Sequence, residues 1–289
     1  MKNYIFKIKN LIQRIYFKII IILTRYKKIG YGITQKRENN SSIIVSLTSY
    51  EKRFSTLDIC IKSLLCQSLK PDRVILYLSD SISESEIPIR ILKLRKNGLE
   101  IRYVKKDLRP HKKYYYSFQE FPNDIVITVD DDVIYSKKLI ENLYKTHLRF
   151  PKCIVAARAR EIVTNDMRQY KSYGKWPLVD AGEQQFPSMR LIATGVGGVL
   201  YPPKLLNYDI LLNLKMIKKY IRVDDLWLKA NELMLNIPTV LCEASVDKKR
   251  IEIPTAQKVG LFQKNGGDNL NDLYWKELND DFNLIKKLS

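Results

Sequence analysis

Histidine and cysteine are scarce in this chain, with two histidines and four cysteines in 289 residues. His111 and His147 stand far apart, so neither reads as part of a metal cluster and neither is assigned a catalytic role. Cys60, Cys66, Cys153 and Cys242 lack metal-type pair spacing, and Cys60 and Cys242 fall in apolar patterns that read as buried. So few cysteines do not indicate a disulfide framework, and a reducing cytoplasm is the simplest compartment. Long apolar runs are missing too: the uncharged run from Ile19 to Thr24 falls far short of the roughly 20 residues a spanning helix needs. No small-residue cleavage site follows Leu23, where Thr24, Arg25, Tyr26 and Lys27 stand, so a secretory signal is not expected. Acidic residues are outnumbered, 31 against 50 Lys and Arg, for a formal charge of +19.

Such a field favours polyanions, and by charge alone nucleic acid, anionic lipid and a phosphorylated substrate all fit. Much of the charge lies at the start, where Lys2, Lys7, Lys9, Arg14, Lys18, Arg25, Lys27, Lys28, Lys36 and Arg37 face one acid, Glu38. Apolar residues from Tyr4 to Leu23 interleave with them, the composition of a basic amphipathic helix lying on an anionic membrane surface. Packing on the protein's own body or on a partner subunit is the alternative. The expected division is a membrane-associating segment over 1–38, a catalytic domain over 43–245 and a C-terminal loop and helix over 246–289 that completes it. Peripheral attachment to the cytoplasmic face of the inner membrane is the matching location.

From Ile43 the pattern alternates strand and helix. Ile43 to Thr48 reads as a strand, and Ser55 and Thr56 can cap a helix that carries Leu57, Cys60, Ile61, Leu64 and Leu65 on one face. Val74 to Leu78 forms the next strand, which completes a βαβ unit. A basic helix over Ile87 to Asn97, a near-edge strand over Glu100 to Val104 and a short helix over Lys113 to Phe121 follow. Helix Lys137 to Phe150 and a strand from Ile154 come after the central stretch. Thr164 to Pro187 reads as an irregular insert that shapes a pocket. In Thr194 to Pro203 glycines permit close backbone approach before a strand over Gly198 to Tyr201. A helix with Leu205, Leu206 and Ile210 to Met216, one from Val223, a strand over Thr239 to Cys242 and a helix from Leu270 close the chain.

The central stretch is Asp124 to Tyr135, DIVITVDDDVIY. Ile125 to Val129 reads as a strand buried on both faces, and Asp130, Asp131 and Asp132 stand at its carboxyl end, where open α/β sheets bind ligands. Three adjacent carboxylates repel one another unless a cation or strong donors compensate them. One reading is a solvated acidic turn that caps the next helix; the other is a divalent cation held by hard oxygen ligands. Asp224 and Asp225 fall in the first turn of a later helix, where the dipole favours carboxylates as caps in any case. Lys112 and Lys113 are expected at the same sheet edge and are candidates for a diphosphate contact.

The order of IIVSLTSY, SLLCQSLKP, a strand ending in Ser79 and Asp80, VDDDVIY and VDDLWL resembles a glycosyltransferase of the A-type fold, similar to family 2, over about Ile43 to Ala244. The resemblance implies a nucleotide-diphospho-sugar transferase fold, with a mostly parallel central sheet flanked by helices. It implies that Ser46, Thr48, Tyr50 and Arg53 lie around the nucleotide and that Asp80 accepts hydrogen bonds from base or ribose. Asp130, Asp131 and Asp132 match the Asp-x-Asp motif, Asp130 leaning toward the ribose and Asp132 toward the metal, with Asp130 and Asp132 as its ligands. The cofactor implied is Mn2+ or Mg2+, and the donor a nucleotide-diphosphate sugar. Asp224 or Asp225 matches the pair that supplies the base. The second strand ends YLSDS, without the acidic-glycine turn common in the family, and the Gln- and Arg-rich motif of processive synthases is absent. The first departure bears on the nucleotide contacts; the second, with the lack of bundles of spanning helices, points to an enzyme that adds one sugar to a glycan or lipid-linked acceptor, with bacterial surface polysaccharide synthesis as the setting. A nucleotidyltransferase that makes activated sugars is the competing enzyme, but Thr48 to Arg53 contains no glycine for its phosphate loop. A non-enzymatic polyanion binder would account for the charge but not for three aspartates at the end of a buried strand, so nucleic acid is not an expected partner.

Overall fold

A computed structural model describes residues 15–34, 41–165, 169–180, 186–253 and 269–288. The basic and apolar positions at 1–14, residues 36–38 and, within the Thr164 to Pro187 insert, residues 166–168 and 181–185 lie outside the described residues.

The strands are β1 (Ile43–Thr48), β2 (Arg73–Ser79), β3 (Leu99–Val104), β4 (Ile125–Thr128), β5 (Val133–Ile134), β6 (Ile154–Ala156), β7 (Ala159–Glu161), β8 (Leu191–Ala193), β9 (Val199–Tyr201), β10 (Thr239–Leu241) and β11 (Ile251–Glu252). Seven of them form one sheet in the order β10-β6-β9-β4-β1-β2-β3. Every neighbour pair is parallel except those of β9, which runs antiparallel to both β4 and β6. β3 is the edge its charged residues foretold. Two small ribbons, β5 with β11 and β7 with β8, sit apart from the main sheet.

β1 and β4 lie at the centre because both faces of each are buried. Ile43, Val45 and Leu47 face one layer, formed by helix α1 (Phe54–Leu65) and, across the sheet's neighbours, by later helical residues including Leu139, Ile140 and Leu143. Ile44 and Val126 face the opposite layer, where Tyr114 and Phe118 of α2 (Lys112–Glu120) pack with Trp227 and Leu233. Full burial of side chains such as Leu47 and Ile127 contributes roughly 1.5–3 kcal/mol each. The helix α3 (Leu139–Arg149) and the helix α4 (Asp224–Met234) complete the two layers, and Trp275, Leu278 and Leu284 from the C-terminal segment join the second.

Several boundaries differ from the periodicity. α1 starts at Phe54, because a 3-10 turn over Glu51–Arg53 already closes the loop, and Ser55 and Thr56 lie inside the helix rather than capping it. The basic stretch splits into a single α turn (Ile89–Leu92) and a 3-10 turn (Lys93–Asn97), stopped by Gly98 at φ 107, a conformation glycine adopts freely. Leu205 and Leu206 precede two short helices, Tyr208–Leu211 and Leu214–Lys219. Asn207 and Asn213 each accept a hydrogen bond from the first turn that follows, so the second cap interrupts what the apolar spacing presents as one helix.

The N-terminal helix, residues 15–26, docks through polar links: Arg25 Nε lies 3.0 Å from Asp58, a buried carboxylate that Arg90 also meets at 3.1 Å. Ile21 packs inward with Ile59 and Ile253, while Ile15, Tyr16, Ile19, Ile22, Leu23 and Tyr26 are exposed. Among the described residues no helix is long and apolar enough to cross a membrane.

Candidate active site

β4 delivers the aspartates to the carboxyl edge of the sheet, alongside β1, because Ser46 and Thr128 are in register and the Val129 N–H still donates to the Ser46 carbonyl. The chain then turns. The Tyr135 hydroxyl accepts from the Asp130 N–H at 2.9 Å, and β5 with β11 holds the far side of the turn.

The triplet is compensated by two basic side chains of the protein. Arg53, four residues after Ser49 in the loop that follows β1, places Nη1 3.0 Å from Asp131 Oδ1 and 2.7 Å from Asp132 Oδ2. Ser49 Oγ donates to the other Asp131 oxygen at 2.5 Å. All three charged side chains are about nine-tenths buried. Burial works against the Arg53 charge, but the carboxylates outweigh it and raise its pKa. Burial also lifts the Asp131 carboxyl to about 6, against the pull of Arg53, and raises Asp132 in the same direction, with Asp130 adding repulsion.

Lys113 is the second cation. Its ammonium lies 2.8 Å from Asp130 Oδ1 and 2.9 Å from Asp224 Oδ2, so one buried side chain from α2 joins the end of β4 to the start of α4. Asp130 is the most open of the triplet, its side chain 32% exposed. The Gly195 N–H donates to both oxygens of Asp225 at 3.1 and 3.2 Å. A Cβ built on Gly195 would stand 2.9 Å from Lys113 Nζ, 3.1 Å from Asp225 Oδ1 and 3.3 Å from Asp130 Oδ1, so these three groups crowd one backbone position. The adjacent carboxyls of α4 are driven apart. Burial disfavours the Asp224 charge, but Lys113 outweighs it and lowers that pKa, whereas burial and then the Asp224 charge push Asp225 up to about 8.

The other candidates are placed as follows. Ser46 is fully buried; its Oγ donates to the Lys113 carbonyl at 2.5 Å and accepts from Ser117 Oγ, which ties β1 to α2. Thr48 Oγ1 donates to the Tyr77 carbonyl, bracing β1 against β2. Tyr50 is half-exposed with the Arg53 guanidinium 5.9 Å from its ring centroid, and Asp80 is exposed in the turn after β2. Lys112 is not brought to the aspartates: it pairs with Asp107 at 2.5 Å. Lys113 is brought there, but as a counter-ion between two carboxylates. His111 is buried between Tyr114 Oη and the Tyr220 carbonyl, and burial holds its pKa down at about 4. Ser49 and Gly195 were not singled out by residue type, although the glycine run TGVGG carried the signal of close backbone approach.

Among the described residues no three His, Cys, Asp or Glu side chains converge as a complete metal cage. The donor chemistry still fits a hard divalent cation, since such ions are commonly held by one or two carboxylates together with substrate phosphates.

The family model described as Glycosyl transferase family 2 matches residues 42–199. No curated protein matches the chain. Among solved structures, GalNAc-T7 with UDP, GalNAc and Mn2+ is similar at 9% identity and a TM-score of 0.51, over 82% of this chain and 51% of that one. The mannosyltransferase PcManGT from Pyrobaculum calidifontis, in complex with GDP-Man and Mn2+, is similar at 13% identity and a TM-score of 0.44, over 81% of this chain and 65% of that one. This chain thus spans less than two thirds of the length of either.

Proposed function

The chain belongs to glycosyl transferase family 2 and is a glycosyltransferase of the A-type fold, and from that premise we propose that it moves one sugar from a nucleotide-diphosphate donor to a hydroxyl of a glycan or lipid-linked acceptor. The observation that carries the reading is the Lys113 bridge, which sets the Asp130 and Asp224 carboxylates on one ammonium, with Asp225 against Gly195 beside them.

Asp130 and Asp132 are the residues that would hold a divalent cation, Mn2+ or Mg2+, whose charge when bound offsets that of the donor diphosphate and of the departing nucleoside diphosphate. The similar GalNAc-T7 structure carries Mn2+ with UDP, which supports a divalent cation in this reading. Arg53 keeps Asp131 and Asp132 in fixed geometry at the turn. Thr48, Tyr50, Arg53 and Asp80 border the nucleotide side in this reading, and Ser46 acts through the β1 to α2 brace.

Asp225 takes the proton of the attacking hydroxyl. The new bond forms from the acceptor oxygen to the anomeric carbon as the bond from that carbon to the phosphate oxygen breaks, and the nucleoside diphosphate leaves. Asp225 suits this role because Asp224, neutralised by Lys113, keeps its charge and raises the proton affinity of its neighbour, while Gly195 fixes the Asp225 oxygens.

Residues 43–245 serve as the catalytic unit and 246–289 complete it. The exposed apolar residues of the helix over 15–26, with Lys18 on that helix and Lys27 and Lys28 just after it, support attachment to an anionic membrane on the cytoplasmic face, which suits a lipid-linked acceptor in bacterial surface polysaccharide synthesis. Incubation with a panel of nucleotide sugars and Mn2+, read by nucleoside diphosphate release and mass spectrometry of added acceptors, tests the proposal. One or a few donors should turn over; no release from any donor would count against it.

A further inference from the structure

Against the turn over Thr194 to Gly198 lies a group that the scheme above leaves unused. We propose that Arg158 is a receptor for an anionic group on the acceptor, a phosphate or a carboxylate. The proposal rests on the glycosyltransferase reading and adds a substrate class to it.

Arg158 follows β6 and stands one turn from the base. Its Nη1 donates to Thr194 Oγ1 at 2.9 Å, and the next residue, Gly195, donates its N–H to Asp225. A Cβ on Gly197 would lie 2.5 Å from the Arg158 Cβ, so the turn over Thr194 to Gly198 is seated directly on this arginine. Two more arginines are close, and both are occupied. Arg160 Nη1 donates to the Trp176 carbonyl at 2.5 Å and its guanidinium lies 5.6 Å from the Tyr173 ring centroid; Arg250 pairs with Asp247 and with Glu252. Arg158 is held more loosely: besides Thr194 its one ion pair among the described residues is a long one, Nε 4.0 Å from Asp247 Oδ2, and the other oxygen of that carboxylate meets Arg250.

A guanidinium whose side chain is only 17% exposed, and whose one carboxylate partner stands 4.0 Å away and is shared with Arg250, is a costly cation to keep. Burial first, then Arg250 and Arg160, lower its pKa against the opposing pull of Asp247 and Glu252, so those carboxylates do not fully compensate it. An anion that accepts two of its N–H groups would offset the cost, and the planar fork matches phosphate and carboxylate. Tyr173 shares the space: burial and the Asp225 charge push its hydroxyl up to about 12, against the opposing pull of Arg160 and Arg158. The sheet order decides which substrate supplies the anion. β6 lies beyond β9, on the opposite side of β4 from β1, β2 and β3, where the nucleotide is assigned, so Arg158 serves the acceptor side.

The test uses the full chain loaded with Mn2+ and a saturating nucleoside diphosphate, titrated calorimetrically with inorganic phosphate, then glucose 6-phosphate, then glucuronic acid. The unaltered protein should bind phosphate or the acidic sugars, and Arg158→Gln should weaken that binding about tenfold or more while Arg158→Lys retains part of it. Nucleoside diphosphate affinity should be the same in all three proteins, which also reports that the variants fold. The preference between glucose 6-phosphate and glucuronic acid separates a phosphorylated acceptor from an acidic one. Equal phosphate and glucuronate binding with and without the arginine overturns the proposal. A fall in nucleoside diphosphate affinity in Arg158→Gln also overturns it, since the arginine would then serve the donor. Failure of the unaltered protein to bind any nucleoside diphosphate would instead sink the donor reading on which this one stands.

Discussion

Lys113 Nζ sits 2.9 Å from Asp224 Oδ2, joining two elements more than a hundred residues apart in sequence. The same ammonium reaches Asp130 at 2.8 Å, so the donor and acceptor halves of the site share one counter-ion.

Removing that ammonium leaves Asp224 buried without its partner. Lys113→Met is expected to lower stability by about 3 kcal/mol or more, the usual cost of breaking a buried pair from one side. Denaturant unfolding reads the change, and an unaltered midpoint would show that the bridge carries no such weight.

Asp225 sets a pH dependence. Its pKa near 8 lies above that of an unfolded aspartate, so the folded state binds the extra proton and this group's share of stability falls as pH rises from about 4 to 8. A base must be deprotonated, so kcat/KM should climb about tenfold per pH unit below 8 and level off above it. Asp225→Asn should keep donor binding, lose about a hundredfold or more in transfer and flatten the limb. Full turnover in that variant removes the assignment.

Gly195→Ala adds a methyl where Lys113, Asp225 and Asp130 already converge. The backbone there is not left-handed, so the cost falls on the site rather than on the turn. Transfer should drop about tenfold or more through displaced carboxylates, with the unfolding midpoint changed by under about 1 kcal/mol. Wild-type transfer would mean that the crowding does not matter to the chemistry.

The N-terminal helix offers an independent check. Ile19 and Leu23 are exposed, and Ile19→Glu with Leu23→Glu should release the protein from anionic vesicles while leaving stability within about 0.5 kcal/mol. Continued sedimentation of the double variant with vesicles would refute membrane attachment through this face.

Much of the architecture was legible in the chain. Ile43 to Leu47, Ser46 apart, and Ile125 to Val129 are β-branched or apolar on both faces, a pattern that suits a central strand covered on both sides, and three charges after such a strand mark its ligand edge. The finer geometry was not. Lys112 and Lys113 are neighbours of the same type, and only the orientation of α2 sends one to Asp107 and the other between Asp130 and Asp224. The contact of Arg53 with Asp131 and Asp132 has no signature in the local sequence, since it depends on the 3-10 turn over Glu51–Arg53 bringing the guanidinium to residues almost eighty positions later. The β7 and β8 ribbon was missed because Arg160 and Glu161 break the apolar pattern of its first strand and its second follows an irregular insert.

The most direct test is calorimetric titration of the protein and its Asp132→Ala variant with the selected nucleotide sugar, with Mn2+ and with a chelator. The account predicts binding that requires Mn2+ in the unaltered protein and is lost in Asp132→Ala. Donor affinity that survives both the chelator and the substitution would contradict it.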